Sequence, residues 1–201
     1  MTDQFADRAA DWDKPSKIEM TTRFVQELIK NLPLEKHWKA FEIGAGTGLV
    51  GLQILPQVDS MVFEDTSPSM LEVLQRKLKG DEKVELLEGE IYAYQQSDID
   101  LVFACMAFHH VPDTDYALSH LSTIVKSGGY VVIGDLMPED GSFHSFNDIP
   151  HKGFDTDQLK QQFEAAGFKV HNTYVYDALE RERVPGVLGK YEQFILIAQK
   201  N

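Results

Sequence analysis

The stretch Phe41-Glu42-Ile43-Gly44-Ala45-Gly46-Thr47-Gly48 decides the fold of this chain. Three glycines alternate directly after a short apolar segment, and a segment with a helical apolar pattern follows them. Glycine adopts positive φ and lets a ligand approach the backbone closely. Because this glycine loop joins a strand to a helix, it predicts the ligand-binding turn of an α/β domain.

Strand and helix patterns alternate on both sides of the glycine loop. A helix is predicted to begin at Ser16, which has capping-box spacing with Glu19, and to end before Pro33. Beyond the loop, the repeat of strand and helix favours a doubly wound, mostly parallel α/β sheet with helices on both faces. The predicted strands cover residues 39–43, 60–64, 83–87, 99–105 and 130–133, and the later helices start near residues 49, 67 and 112.

The chain after residue 135 follows a different pattern. Residues 138–153 are rich in Gly, Pro and Asp, and a loop of this length in a compact domain is often functional, so we expect a substrate loop here. A helix capped by Asp155 follows. Two strands, 169–176 and 191–199, complete the pattern, and the charged segment 179–189 is expected to be a loop or hairpin connection.

Length and composition predict a single domain, 1–201, in which residues 1–35 form an N-terminal lid segment and helix. Cys105 is the single cysteine, which excludes an internal disulfide and a zinc site with two cysteine ligands. The N-terminal residues lack a signal-peptide pattern, and no apolar run is long enough to span a bilayer. We therefore expect a cytoplasmic protein without a membrane partner.

The net charge of −13 disfavours nucleic acid as a partner, because an acidic surface repels phosphates. A small-molecule partner is expected instead, with a protein as the second choice. The sequence does not indicate an oligomeric state.

Asp65 ends the second predicted strand, seventeen residues after Gly48. In doubly wound folds, a carboxylate at this place can bind the hydroxyls of a ribose. Gly46, Gly48 and Gly51 also match the dinucleotide pattern G-x-G-x-x-G, so an NAD-dependent oxidoreductase is one alternative. Glu42 opposes it, because a carboxylate beside the loop suits a cationic ligand and not a pyrophosphate.

These residues resemble the class I S-adenosylmethionine (SAM) dependent methyltransferases, in particular the small-molecule branch with one catalytic domain. FEIGAGTGL is similar to the first motif of the family, and VFEDTSPSMLEVLQRKL is similar to the second block. Gly89-Glu90-Ile91 stands where an acidic residue usually meets adenine, with Glu in place of the commoner Asp. IDLVFACMAFHHVPD and IVKSGGYVVIGD resemble the fourth-strand and fifth-strand blocks.

The resemblance implies a Rossmann-like sheet of seven strands, the last antiparallel, with SAM as cofactor and S-adenosylhomocysteine (SAH) as product. It implies that the glycine loop contacts the methionine part of SAM, that Asp65 holds the ribose and that the region around Glu90 holds adenine. Trp12 is expected to face the sulfonium, because cations favour aromatic faces. The residues expected at the cofactor are Trp12, Glu42, Gly44, Ala45, Gly46, Thr47, Gly48, Asp65, Thr66, Met70, Glu90, Ile91 and Cys105.

Candidates for catalysis follow the fourth and fifth strands, whose carboxyl ends face the ligand crevice. His109 is expected to meet the acceptor or act as a base, and Asp135 to contact substrate or cap a turn. His110, His144, His151 and Tyr191 are substrate candidates, although His110 can also simply brace its loop. A metal bound by the histidines and Asp135 is disfavoured, because their spacing is neither helical nor finger-like.

The sequence therefore predicts a SAM-dependent methyltransferase acting on an unidentified, small-molecule acceptor. A non-catalytic protein that binds SAM or SAH as a sensor would show the same cofactor motifs, and only turnover separates the two. The acceptor atom, whether O, N, C or S, is not encoded in a motif, because one scaffold hosts many chemistries.

Overall fold

The computed structural model describes residues 3, 6–144, 149–184 and 186–201. Parts of the predicted lid segment (residues 1, 2, 4 and 5) and of the predicted substrate loop (145–148) lie outside the described residues. The helices are α1 (Pro15–Asn31), α2 (Gly51–Ile54), α3 (Pro68–Lys77), α4 (Thr114–Ile124) and α5 (Thr156–Ala165). The strands are β1 (Lys39–Ile43), β2 (Ser60–Asp65), β3 (Val84–Glu88), β4 (Ile99–Cys105), β5 (Val125–Leu136), β6 (Phe168–Val184) and β7 (Val187–Lys200).

The seven strands form one sheet in the order β3-β2-β1-β4-β5-β7-β6. Strands β1 to β5 pair in parallel, and β7 pairs antiparallel with both β5 and β6. The predicted α/β architecture with an antiparallel last strand is confirmed. Chain order reverses between β1 and β4, and ligands of such sheets bind outside the strand ends at this switch point.

Helices cover both faces of the sheet, because successive strand residues point to opposite faces. Leu101 and Phe103 pack with α1, α2 and α3, whereas Val102 and Ala104 pack with α4 and α5. The central strand β4 is therefore apolar at almost every position. Among the described residues, no helix has the length and apolarity needed to cross a membrane.

Helix starts agree with the sequence where the cap is local. Ser67 accepts a hydrogen bond from the Met70 backbone, and Asp155 accepts bonds from two backbone N–H groups of α5. The capping box predicted at Ser16 is wrong. Helix α1 begins one residue earlier, at Pro15, whose fixed φ suits the first helical position, and no side chain caps it.

The connection expected at 179–189 is mostly strand. β6 and β7 extend into a long hairpin in which Leu179 pairs with Tyr191 and Arg181 pairs with Gly189. The charges and glycines of this segment hide the strand pattern, although Leu179 and Tyr191 are buried in a small apolar cluster with Phe143. β5 also starts earlier than predicted, at Val125 instead of residue 130.

Candidate active site

A cavity of about 820 Å³ lies at the carboxyl ends of β1, β2 and β4, at the switch point of the sheet. This volume is within the range of small-molecule and cofactor sites. The cavity wall includes every residue that the sequence places at the cofactor except Gly48. His109, His110 and His144 form another part of the wall.

The glycine loop depends on backbone conformations that glycine adopts more readily than other residues. Gly44 and Gly46 line the cavity with φ of +62° and +55°. A Cβ on Gly44 would lie 2.5 Å from the Cβ of Ala107. Glycine is therefore required at Gly44 by conformation and by space.

Gly48 and Gly51 have a packing role. A Cβ on Gly48 would collide with Leu74, and one on Gly51 would collide with Glu42 and Phe63. Gly48 does not line the cavity and the side on which a Cβ would stand is filled by side chains, so its contact with the cofactor stays a prediction. The same observation opposes a dinucleotide pattern, because its second glycine, Gly48, would have to let a pyrophosphate approach and is instead covered by Leu74 and Leu52.

Three carboxyl groups are concentrated beneath the glycine loop. Glu42, Glu64 and Asp65 line the cavity and are 3%, 3% and 8% exposed. Burial, opposed in part by the hydrogen bond from the Gly44 backbone, raises the pKa of Glu64 to about 8. Burial also raises the pKa of Glu42 well above its usual value. A cation placed here would favour ionisation of these groups, so the site fits a sulfonium and an ammonium better than a phosphate.

Asp65 lines the cavity and also forms hydrogen bonds that fix the glycine loop. Its Oδ2 accepts a hydrogen bond from the Gly46 backbone at 2.7 Å, and its Oδ1 accepts one from the Ser67 backbone at 2.8 Å. Burial raises the pKa of Asp65 despite these bonds. Each carboxylate oxygen keeps a second lone pair for a ligand hydroxyl.

The N-terminal segment is tied to the glycine loop. Asp13 accepts a hydrogen bond from the Thr47 hydroxyl at 2.5 Å and pairs with Lys77 at 2.6 Å. Trp12 lines the cavity, and the ammonium of Lys17 lies 2.6 Å from its ring centroid. One face of the indole is thus covered by Lys17 and not left open for a sulfonium. Burial, with the nearby positive charge of Arg181 second, lowers the pKa of Lys17 to about 7.

A buried histidine–carboxylate pair lies behind the histidine wall. His109 Nδ1 is 2.7 Å from Asp135 Oδ1, and the His109 backbone N–H donates to Asp135 Oδ2 at 3.0 Å. His109 and Asp135 are 1% and 0% exposed. Because the carboxylate accepts at Nδ1, the neutral imidazole carries its proton there and keeps the Nε2 lone pair available.

The other ring nitrogen, His109 Nε2, lies 3.2 Å from Nε2 of His144. The rings of His109 and His110 have centroids 4.2 Å apart. Desolvation by the surrounding cavity wall, and then the nearby rings of His109 and His144, lower the pKa of His110 to about 4 although its side chain is still reached by solvent, and Asp135 opposes this effect. A low pKa keeps this imidazole neutral.

Besides Gly48, three predicted site residues do not line the cavity. Asp135 is absent from the wall and acts through His109, so it is a positioning residue. His151 bonds the Val111 carbonyl at 3.0 Å and its backbone N–H donates to the His109 carbonyl, which braces the loop. Tyr191 bonds the Ser142 hydroxyl at 2.7 Å and packs on the Phe143 ring. For all three residues, contacts with distant parts of the chain decide where the side chain points.

Sequence reasoning missed several wall residues. Glu64 directly precedes Asp65, which was predicted. A carboxylate at a buried position of β2 is the signal that could have identified Glu64. Lys17 and Arg181 come from α1 and the β6 hairpin, and no motif marks them. Cys105 lies in the wall as expected, and burial raises the pKa of its thiol well above the usual value.

Comparison with known proteins agrees with this geometry. A methyltransferase domain model, Methyltransf_12, matches residues 41–131. An uncharacterised methyltransferase, OB1106, of Oceanobacillus iheyensis is 25% identical over 90% of this chain and 83% of its own. The O-methyltransferase rstn1 of Aspergillus nomiae is 25% identical over 79% of this chain and 78% of its own.

Solved structures share the whole fold. The methyltransferase crystallised with the Haloferax volcanii Trm112 methyltransferase activator has a TM-score of 0.83 at 16% identity, covering 99% of this chain and 98% of that one. A SAM-dependent methyltransferase from Aquifex aeolicus has a TM-score of 0.71 at 18% identity, with 98% of each chain covered.

The fold and the cavity define a Rossmann-like methyltransferase domain. The methyltransferase-domain match over residues 41–131, the methyltransferase relatives and the SAM-dependent structural neighbours together support a class I SAM-dependent methyltransferase with SAM as its cofactor.

Proposed function

We propose that this enzyme transfers the methyl group of SAM to a small-molecule acceptor bound at the histidine wall, with His109 accepting the acceptor's proton. The observation that carries the proposal is the buried pair of His109 and Asp135, in which the histidine lines the cavity and its Nε2 meets only another imidazole nitrogen, Nε2 of His144 at 3.2 Å, among its hydrogen-bond contacts in the described residues. A histidine held by a carboxylate in this way is a typical general base. The likeness to an O-methyltransferase supports an acceptor hydroxyl.

Each end of the cavity has a separate task in this proposal. The backbone of Gly44 and Gly46 and the carboxylates beneath them would hold the methionine and ribose parts of SAM. When bound, SAM supplies the methyl carbon, which leaves the sulfur for the acceptor atom and yields SAH. The acceptor's lone pair forms the new bond while its proton passes to Nε2 of His109. Most of the rate enhancement would come from holding the two reactants together.

The size of the site favours a small acceptor. The cavity has a volume of about 820 Å³, and its lining includes residues of the N-terminal segment, Phe143 and His144 of the substrate loop, and Arg181. SAM would fill a large share of this volume. The remaining space suits a small molecule better than a folded protein or a duplex.

The test is a comparison of binding and turnover in variants of the pair. With a panel of small phenols and alcohols as acceptors, and SAH formation as the signal, Asp135→Asn should lower kcat by about 10²- to 10⁴-fold. Calorimetry should show unchanged SAH affinity, because Asp135 does not line the cavity. His171→Asn is the matched control, since His171 is exposed on β6. Equal turnover in Asp135→Asn would overturn the base assignment, and absence of SAH binding would overturn the cofactor site.

A second candidate is the same activity under control of a protein partner. One observation favours it: the full-length likeness to the methyltransferase crystallised with an activator protein. Turnover by the isolated chain at a rate typical of enzymes would exclude this dependence. A protein that binds SAH tightly and turns over no acceptor would instead match the sensor alternative.

A further inference from the structure

Three histidines meet at the acceptor end of the cavity although they come from two distant segments. His109 and His110 follow β4, and His144 lies in the loop after β5. One ring nitrogen from each lies within 4.8 Å of the others. Within the described residues, this is the group of His, Cys, Asp or Glu side chains whose spacing could hold a metal ion.

The closest pair has the separation that a metal ion would impose. The Nε2 atoms of His109 and His144 are 3.2 Å apart. Two imidazole nitrogens at about 2.0–2.1 Å from a tetrahedral Zn²⁺ lie roughly 3.3 Å from each other. Two such nitrogens at this distance must share either a proton or a cation, because two bare lone pairs repel. Binding an ion here therefore requires little movement of these two rings.

The surroundings of His109 match those of a metal ligand. Asp135 bonds Nδ1 of His109 at 2.7 Å and directs the Nε2 lone pair into the cavity. Carboxylate–histidine–metal arrangements use this geometry, because the carboxylate fixes the tautomer and raises the basicity of the ligand. Asp135 is itself fixed by the backbone N–H groups of His109 and Leu136.

The cluster is also accessible from solvent. His109 is buried, but His144 is partly exposed and His110 is exposed. All three line the same cavity, so an ion can enter and a fourth ligand can approach from the cavity side. Three nitrogen ligands with one open position are typical of catalytic rather than structural zinc sites.

We propose that His109, His110 and His144 form a binding site for a divalent transition-metal ion such as Zn²⁺, with Asp135 as the hydrogen-bonded support of His109 and an open position toward the cavity. The ligand class follows from the donor set, because neutral imidazoles select Zn²⁺ and similar ions over Mg²⁺ or Ca²⁺. The metal ion would bind the Nε2 lone pair of His109, which is the lone pair that takes the acceptor's proton in the proposed function. The metal-bound and proton-accepting states of His109 therefore exclude each other.

Metal binding can be tested without SAM or an acceptor, so its outcome is independent of the proposed function. Protein freed of metal with a chelator is titrated with Co²⁺, whose visible d–d bands report tetrahedral coordination, and Zn²⁺ is then added to displace it. We expect one Co²⁺ per chain in the wild type. His144→Asn should lose the tetrahedral spectrum, and Asp135→Asn should weaken binding by about 10- to 100-fold.

His171→Asn serves as the matched control and should bind as the wild type does, because His171 is exposed and outside the cluster. Thermal unfolding followed by circular dichroism shows that each variant is folded. A wild-type protein that binds no Co²⁺ or Zn²⁺, or a His144→Asn variant with an unchanged spectrum, would overturn the site and leave a proton-sharing histidine pair. SAH calorimetry on the same samples reports separately on the cofactor site.

Discussion

Neutralising Glu64 should change the pH dependence of folding stability. Burial raises the pKa of this carboxyl from 4.5 to about 8 in the folded protein. Between these two pH values the folded chain keeps a proton that the unfolded chain has released. By linkage, stability present at low pH is then lost as the pH rises through this interval.

The size of the effect follows from the two pKa values. The raised pKa of Glu64 lowers the free energy of unfolding by about 1 kcal/mol at pH 5 and by about 5 kcal/mol at pH 9. This destabilisation therefore grows by about 4 kcal/mol across the range. The variant Glu64→Gln removes the titration. Its amide oxygen can still accept the hydrogen bond that the Gly44 backbone gives to Glu64 at 3.2 Å.

The assay is urea unfolding of the ligand-free wild type and Glu64→Gln at pH 5, 7 and 9. The stability of the variant relative to wild type should increase by about 4 kcal/mol from pH 5 to pH 9. Any constant packing cost of the substitution cancels in this difference. Glu85→Gln, at an exposed position on β3, is the control and should show no such trend. A pH-independent difference for Glu64→Gln would refute the argument that this carboxyl is buried at a cost.

Three other substitutions test the site and the core. Gly44→Ala places a Cβ at a positive φ and against Ala107, so it should lose roughly 2–4 kcal/mol of stability in urea unfolding and most SAH affinity in calorimetry. Its control is Gly80→Ala, which has a positive φ in open space and should lose only about 1–2 kcal/mol of stability. Asp65→Ala should weaken SAH binding at least tenfold, and equal affinity would contradict its place in the site. Phe163→Ala, on the buried face of α5, should cost about 3–5 kcal/mol in unfolding experiments without changing SAH affinity.

The parts of the fold that were predictable are those with local causes. The strand bounds of β1 and β4 follow from short apolar runs, and the caps at Ser67 and Asp155 follow from side chains that bond neighbouring backbone groups. A hairpin was one of the two alternatives predicted for residues 179–189, but the length of the β6 and β7 strands that form it was not predicted. Its strands are stabilised by pairing with each other, and their charged residues show no alternation that local pattern could detect.

The candidate site shows the same division. The glycine loop and Asp65 are contiguous with their strands, so their position at the sheet edge could be inferred from sequence. The meeting of His109 with His144 depends on the path of the loop after β5, which no motif encodes. His151 and Tyr191 stood close to the right elements, but their side chains turn toward loop carbonyls and hydroxyls instead of the cavity.

The position of β7 has a consequence for how the protein is made. It follows every other strand in the sequence, yet it lies between β5 and β6 and supplies the antiparallel partner of Asp135 and Leu136. Until β7 is synthesised, β5 presents an open, apolar edge that invites pairing with other chains. The histidine–carboxylate pair gains its final enclosure only when this strand inserts. A ribosome-bound chain that ends before Val187 would contain every residue that lines the cavity but lack the strand that pairs with Asp135, so the support of His109 would be completed last during biosynthesis.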